Sequence, residues 1–435
     1  MSKQEILNLI KNRNFKSGVE IGSGRGDFTS LLSLIPSIEK VYCIDLWEDW
    51  DKNKFDNKIH YCCNDGTLSM DLFKEKLSDS RFEIIKGKSN VQISKISGDL
   101  DFCCVDGNLT ADGLFKDLKE SFLKVKNGGV IFGFKYGQNV DTDMYDNNTR
   151  ARFRKNIKAN TQNVLDLFSK YTESNLIVMS DGCWVLEKKR DNNYFRNKEI
   201  SIEICIHCFR YQRRLSWMLS SILQQKGDLP KIKINISHCE NDGNPTTREV
   251  CDFFSNLGLD IKQTIMSNND VSNRAKARNV QVKESKSDWI LFADSDLVYD
   301  EFFFDDINKK LRKDFLFETV CMGADRTSLD IPFCIKFFEE DNRQYPCVVE
   351  SVADISKKWP IRVKTGGRLA PGNFQLASLF TIQVHGGFYS KKEQDLWRAT
   401  RSDKTFRKHI GGVKNINAKP FYHLNHDRGG PDIQR

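Results

Sequence analysis

Short apolar runs alternate with amphipathic, helix-patterned stretches, and this alternation starts twice along the 435 residues. In the first half the strand candidates are Gly18–Ile21, Lys40–Ile44, Phe82–Ile85, Leu100–Val105 and Val130–Phe134, separated by helices such as Asp27–Leu34 and Asp112–Val125. Strands joined through helices run parallel, so this half reads as a doubly wound sheet. A helix at Asn163–Tyr171 followed by runs at Asn175–Met179 and Cys183–Lys188 is the pattern that closes such a sheet with an antiparallel edge strand. The polar stretch Lys189–Lys198 interrupts the alternation. It then restarts with strands Ile202–Ile206, Lys231–Ser237, Asp260–Ile265 and Trp289–Ala293 and helices Gln212–Gln225, Thr247–Leu257 and Asn273–Lys286. Beyond Asp300 the pattern becomes irregular, which suits loops and binding segments. The expected fold class is α/β: two doubly wound, Rossmann-like domains at residues 1–189 and 200–435, with 190–199 as the linker.

Composition narrows the function classes. A net charge of +8, from 67 basic and 59 acidic residues, suits anionic small ligands. It is spread too thinly, without a long basic run, to argue for nucleic acid. No apolar run approaches the roughly 18 residues of a membrane span. The first residues, Met1-Ser2-Lys3-Gln4-Glu5, open an amphipathic helix rather than a signal peptide. The 13 cysteines are odd in number, and adjacent pairs such as Cys62-Cys63 and Cys103-Cys104 read as buried strand residues, so a reducing, cytoplasmic setting is expected. Cys205-Ile206-His207-Cys208 has no second pair at zinc-finger spacing and reads as a buried strand running into a loop.

The first strand ends in Glu20-Ile21-Gly22-Ser23-Gly24-Arg25-Gly26, with a helix behind it. Glycines there let the backbone turn tightly and approach a ligand that faces the helix N-terminus. The dinucleotide pattern would need a glycine at position 27, where Asp27 sits. The second strand ends at Asp45, where a carboxylate can accept both ribose hydroxyls of a nucleoside. These residues resemble the class I S-adenosylmethionine (SAM)-dependent methyltransferases. Val105-Asp106-Gly107-Asn108, Phe115-Lys116-Asp117-Leu118 and Lys124-Val125-Lys126-Asn127-Gly128-Gly129-Val130-Ile131 extend the resemblance to methyltransferase type 24, over Val19 to Lys188. The resemblance implies that Glu20, Gly22, Gly24 and Asp45 hold SAM, with Gly87 and Ser89 near the adenine and Asp106 at the same site. It also exposes a departure. Metal-dependent members carry His and Asp residues where this chain has Leu109 and Phe134-Lys135-Tyr136, and only Asp106 remains. A charged lysine has no lone pair for a divalent cation. Methyl transfer is therefore metal-independent, or the domain has lost catalysis and serves binding or docking.

In the second half, the buried run Trp289–Ala293 delivers Asp294-Ser295-Asp296. Two carboxylates on one side of an extended chain are costly without a cation, and hard oxygen ligands suit Mn²⁺ or Mg²⁺ that can also hold a diphosphate. Around it, His207-Cys208-Phe209-Arg210-Tyr211-Gln212-Arg213-Arg214-Leu215, Glu240-Asn241-Asp242-Gly243, Arg274-Ala275-Lys276-Ala277-Arg278-Asn279, Gly386-Gly387-Phe388 and Lys392-Glu393-Gln394-Asp395-Leu396-Trp397 resemble family 2 and related GT-A glycosyltransferases over Ile202 to Asp427. The resemblance implies a nucleotide-sugar site with Phe209 and Arg210, Asp242 near the base, Arg278 at the diphosphate and Asp294 at ribose and metal. Asp296 would ligate the metal, and Glu393 or Asp395 would act as catalytic base. A late histidine serves as an extra metal ligand in several such enzymes, and His423 is favoured here over His426.

The combined expectation is a two-domain enzyme of glycan biosynthesis. It transfers a sugar, with inversion, from a UDP-, GDP- or dTDP-linked donor to the hydroxyl of a glycan acceptor, with SAM-dependent O-methylation in the N-terminal domain. Two rivals are a glycan-assembly binding protein with degenerate sites, against which the Asp294/Asp296 pair argues, and a modifier of nucleic-acid bases, which would need a basic stripe beside the cleft.

Overall fold

The computed structural model describes residues 2–47, 66–107, 111–136, 161–313, 321–323, 326–329, 344–351, 354, 357, 361–362, 374–384, 413–415 and 421–424. The chain divides between Phe195 and Arg196 into two compact units.

The first unit is built on strands β1 (Ser17–Ile21), β2 (Lys40–Asp45), β3 (Phe82–Lys86), β4 (Leu100–Val105), β5 (Val125–Gly133), β6 (Asn175–Val178) and β7 (Trp184–Glu187). They form one seven-stranded sheet in the order β3-β2-β1-β4-β5-β7-β6. β3, β2, β1, β4 and β5 run parallel, and β7 is antiparallel to both neighbours. All six residues of β4 are buried, as expected of a central strand covered on both faces. β5 starts at Val125 and not Val130, because Lys126-Asn127-Gly128-Gly129 joins the strand through an irregularity opposite Leu100/Phe102, with Gly128 at φ 79. That irregular pairing hides the strand start from an apolar-run reading. Past β7, Asn192–Asn197 is a short helix, with Lys188 Nζ donating to Asn192 Oδ1 at 3.0 Å and Asn192 Nδ2 to the Leu123 carbonyl at 3.0 Å.

The second unit holds β8 (Ser201–His207), β9 (Lys231–His238), β10 (Ile261–Ile265), β11 (Trp289–Ala293), β12 (Leu297–Tyr299), β13 (Cys321–Gly323), β14 (Arg326–Leu329), β15 (Ile361–Arg362), β16 (Phe374–Ser378), β17 (Val413–Asn415) and β18 (Phe421–Leu424). The main sheet has the order β10-β9-β8-β11-β16-β13-β17, and β12-β18-β14-β15 form a second sheet. The irregular region beyond Asp300 therefore contains real elements: a helix at Phe303–Lys313, and β16, fully buried and antiparallel to β11. β16 reads Phe-Gln-Leu-Ala-Ser, too mixed to stand out in sequence. The helix Arg274–Glu284 is fixed by Gln281, whose buried amide donates to the carbonyls of Ile206 and Asn235 at 2.8 and 2.7 Å. Two hydrogen bonds made away from water tie this helix to the carboxyl half of β8 and β9, and so aim its first turns at the carboxyl edge of the sheet. Nine cysteines of the described residues are free thiols, and eight of these are buried, among them Cys103, Cys104, Cys205 and Cys208.

Candidate functional site

In the second unit, every side chain of β11 is buried, so the core dictates the strand and the charge begins only at its carboxyl end. There Asp294 and Asp296 flank a tight turn into β12. β12 pairs antiparallel with β18, placing Leu297 opposite His423, and the Asp296 carbonyl accepts the Leu424 N–H at 2.9 Å. This pairing brings His423 Nε2 to 3.2 Å from Asp296 Oδ2. Asp294 turns the other way, its Oδ1 lying 3.4 Å from Arg274 Nη1 and 3.7 Å from Arg278 Nη2. Burial holds the Tyr299 phenol far above its usual range, and the charges of Asp294 and Asp296 push it the same way.

The surrounding residues differ in how open they are to the site. Arg278 is 1% exposed and its guanidinium lies 5.3 Å from the Phe292 ring centre, so it acts from beneath the site. Arg274, one helical turn earlier, is the more open arginine, with 23% of its side chain exposed, and was not singled out from sequence. The signal was there in Arg-x-x-x-Arg, a spacing that puts both on one helix face. His207, at the end of β8, was also missed as a side chain of this site. Burial holds it well below its usual pKa, with Arg274 and Arg278 adding to the effect and Asp296 opposing it, so it is a neutral imidazole. Asp242 is buried, with Oδ1 accepting the Thr247 N–H at 2.9 Å and Oδ2 the Thr247 hydroxyl at 2.6 Å, at the first residue of the helix Thr247–Asn256 that Thr246 caps. Arg210 has the left-handed φ of 63 and stacks 5.2 Å over Phe209. Glu393, Asp395, His426 and Gly386-Gly387-Phe388 lie outside the described residues.

Among the described residues no group of three His, Cys, Asp or Glu side chains is placed to hold a metal ion. The adjacent pair Asp296 and His423, with Asp294 nearby, offers carboxylate oxygen and imidazole nitrogen. That donor set fits Mn²⁺ or Mg²⁺, and Mg²⁺ in particular commonly takes one or two carboxylates, with water and substrate phosphates completing the shell.

In the first unit, the loop after β1 lies against the residue after β4. A Cβ on Gly22 (φ 85) would come within 2.3 Å of the Asp106 carbonyl oxygen, which only glycine avoids. A Cβ on Gly24 (φ 51) would meet nothing within 4 Å, so the loop opens onto free space there. Asp45, ending β2, accepts the Gly24 N–H at 2.9 Å through Oδ2 and the Trp47 N–H at 3.1 Å through Oδ1. Each oxygen retains a second lone pair for a ribose hydroxyl. The Trp47 indole N–H donates to the Gly24 carbonyl at 2.8 Å and braces the loop from the side. Gly87 donates its N–H to the Asp45 carbonyl at 2.8 Å, bringing the end of β3 to the same place. A glycine loop open to free space beside a carboxylate with lone pairs to spare is chemically suited to a nucleoside such as that of SAM. Glu20 is 3% exposed, bonded by the Thr29 hydroxyl, and burial pushes its carboxyl up to about 8. Ser89 faces inward, donating to Asp117 Oδ1 at 2.5 Å, and burial likewise pushes Asp117 up to about 7. Leu109 lies outside the described residues.

Comparison with known families finds a match in each half of the chain. Residues 19–133 match the family model of a methyltransferase domain, and residues 203–321 match that of glycosyl transferase family 2. The chain joins a methyltransferase domain to a family 2 glycosyltransferase domain. Among solved structures it is similar to S. aureus TarS, at 11% identity and a TM-score of 0.37, over 52% of this chain and 37% of that one. It is similar to S. aureus TarS 1-349 in complex with UDP-GlcNAc, at 12% identity and a TM-score of 0.36, over 54% and 60% of the two chains. A putative caffeoyl-CoA O-methyltransferase from Staphylococcus aureus is similar at 18% identity and a TM-score of 0.31, over 43% and 82%. The chain spans between 37% and 61% of the TarS chains it matches. No curated protein sequence matches it. Among the described residues, no helix of the glycosyltransferase or methyltransferase domain is long and apolar enough to cross a membrane.

Proposed function

We propose that the C-terminal domain transfers a sugar from a nucleotide-sugar to an acceptor hydroxyl with inversion, in a metal-dependent reaction in the cytoplasm, and that the N-terminal domain binds SAM and methylates an oxygen of a sugar. The observation that carries the first part is the edge of β11, where Asp296 meets His423 and Asp294 meets two arginines. Opposite charges are divided there as an anionic leaving group requires, with acids to hold a cation and arginines to meet phosphate oxygens. Asp296, His423 and Asp294 would hold Mn²⁺ or Mg²⁺, which, when bound, offsets charge on the leaving diphosphate. Arg274 lies open to the diphosphate, while Arg278 fixes Asp294 from below. Phe209 and Arg210 follow β8 on the nucleotide side, and Asp242 shapes the loop toward the base by holding Thr247. Glu393 or Asp395 takes the proton from the acceptor hydroxyl as its oxygen attacks the anomeric carbon. In the N-terminal domain Gly22, Gly24 and Asp45 hold SAM, with Glu20 and Asp106 beneath and beside the loop.

The test is thermal unfolding with a panel of UDP-, GDP- and dTDP-sugars, each with Mn²⁺ and with EDTA. A ligand bound only by the folded state stabilises it, by about 2.7 kcal/mol at a hundred times its dissociation constant. One nucleotide class is expected to raise the melting temperature with Mn²⁺ alone. A shift equal in EDTA removes the metal from the reading, and no shift with any donor removes the reading itself.

A further inference from the structure

The residue that departs most sharply from the metal-dependent methyltransferase pattern, Lys135, is placed beside the one that remains. Its Nζ lies 3.5 Å from Asp106 Oδ1, with the two side chains 29% and 31% exposed. Both follow the carboxyl ends of neighbouring strands of the first sheet, Asp106 at the switch point between β1 and β4 and Lys135 one strand further on. Asp106 follows β4, Lys135 lies two residues beyond β5, and the glycine loop follows the neighbouring β1. Ligands of doubly wound sheets bind outside these strand ends. The backbone at Lys135 is in the left-handed region, φ 67, unusual for lysine, and is held from both sides. The Thr161 hydroxyl donates to the Lys135 carbonyl at 2.8 Å, and the Tyr136 N–H donates to the Gly182 carbonyl at 2.7 Å. The Tyr136 hydroxyl is fixed in turn on Asp166 Oδ1 at 2.9 Å. A sparsely populated conformation persists only where its surroundings over-determine it, and here they aim an ammonium at Asp106.

A divalent cation does not fit this arrangement. It would have to share the Asp106 carboxylate with a like charge a few ångström away, and lysine cannot join the coordination shell. Resting on the reading of this domain as a SAM site, we infer that Lys135 is the built-in cation of the N-terminal site, standing in for a metal, and that the methyl acceptor presents an already ionised oxygen such as the carboxylate of an acidic sugar. Lys135 holds that oxygen as a hydrogen-bond donor. The oxygen lone pair forms the new O–CH₃ bond as the S–CH₃ bond of the sulfonium breaks. The bonding pair returns to sulfur as the neutral thioether of S-adenosylhomocysteine, and no proton moves.

Calorimetry on the full chain tests this with S-adenosylhomocysteine first, in EDTA and in Mn²⁺, and then with glucuronate or glucose added to the loaded protein. S-adenosylhomocysteine should bind equally in both buffers, and glucuronate at least about 10-fold more tightly than glucose, the worth of one charge-assisted hydrogen bond. Lys135→Met should erase that preference while leaving S-adenosylhomocysteine binding intact, and Lys135→Arg should retain it. Binding that needs Mn²⁺, equal affinity for the two sugars, or a preference that survives Lys135→Met each overturns the inference. No binding of S-adenosylhomocysteine at all removes the underlying SAM reading, and a preference lost together with that binding in Lys135→Met marks a folding role for the lysine.

Discussion

The two domains place their candidate sites at the same address and equip them with opposite means of handling charge. In each, a central pair of parallel strands, β1 with β4 and β8 with β11, marks the switch point, and an aspartate follows the second strand. At the first address Asp106 meets Lys135, a positive charge the chain supplies itself. At the second, Asp296 meets His423, two donors that suit a cation from solution, while Asp294 meets arginines. Topology fixes where a doubly wound sheet binds, and side chains within a few residues of the strand ends fix what is bound.

The largest expected effect tests the second half of that contrast. Asp296→Ala should lower sugar transfer by at least about 100-fold and abolish Mn²⁺-dependent donor stabilisation, since even outer partners of a metal ligand are worth about 10–100-fold. Full activity in that variant would mean that the C-terminal site needs no borrowed cation, and the contrast would collapse. Next, Glu393→Gln should slow transfer by about 100-fold at nearly unchanged donor affinity, because it removes proton acceptance and keeps shape. If Asp395→Asn has that signature instead, the base is two residues further on. In the N-terminal domain, Asp45→Ala should weaken S-adenosylhomocysteine by about 1.5–3 kcal/mol in calorimetry, the value of a hydrogen bond to a charged group. An unchanged affinity would reduce Asp45 to a brace for Gly24.

Finer effects separate residues that look alike. Arg278→Ala should cost about 1–3 kcal/mol in urea unfolding, because it removes a buried partner of Asp294. Arg274→Ala should leave stability almost unchanged and raise KM for the donor. Reversed outcomes would exchange their roles. The smallest effect is a pH dependence. Folding raises the Glu20 carboxyl from its ordinary value near 4.5 to about 8, so between those values the folded state binds more protons than the unfolded one. Stability from this group is complete below the lower value and is lost as pH rises through the upper. Thermal unfolding of the ligand-free chain should therefore weaken from pH 5 to pH 8, and Glu20→Gln should flatten the slope. A wild-type slope retained in the variant would assign it elsewhere, with Asp117, raised to about 7, the next group to test.

What the sequence disclosed follows from how local each signal is. The glycine loop and the Asp-x-Asp turn are set by neighbours in the chain, and both appear at strand ends as their residues implied. Pairings across long separations were not visible. Nothing in Phe421-Tyr422-His423-Leu424 reveals that it pairs with β12, and the His423–Asp296 contact exists only through that pairing. The opposition of Lys135 and Asp106 needs β4 and β5 to lie side by side and a lysine at positive φ, which no propensity favours. The partnership of Asp242 with Thr247 was not visible either, because it depends on a loop whose shape the residue types do not dictate.

The β12–β18 pairing also sets an order in time. His423 leaves the ribosome 127 residues after Asp296 (423 − 296). At about 5–20 residues per second, that is a delay of roughly 6–25 s. Through that interval β1 to β7 are already available to fold into a finished sheet, while the second sheet lacks the strand that aligns the histidine. During synthesis the first sheet can therefore close before the proposed sugar-transfer site, which gains its histidine only when β18 pairs with β12.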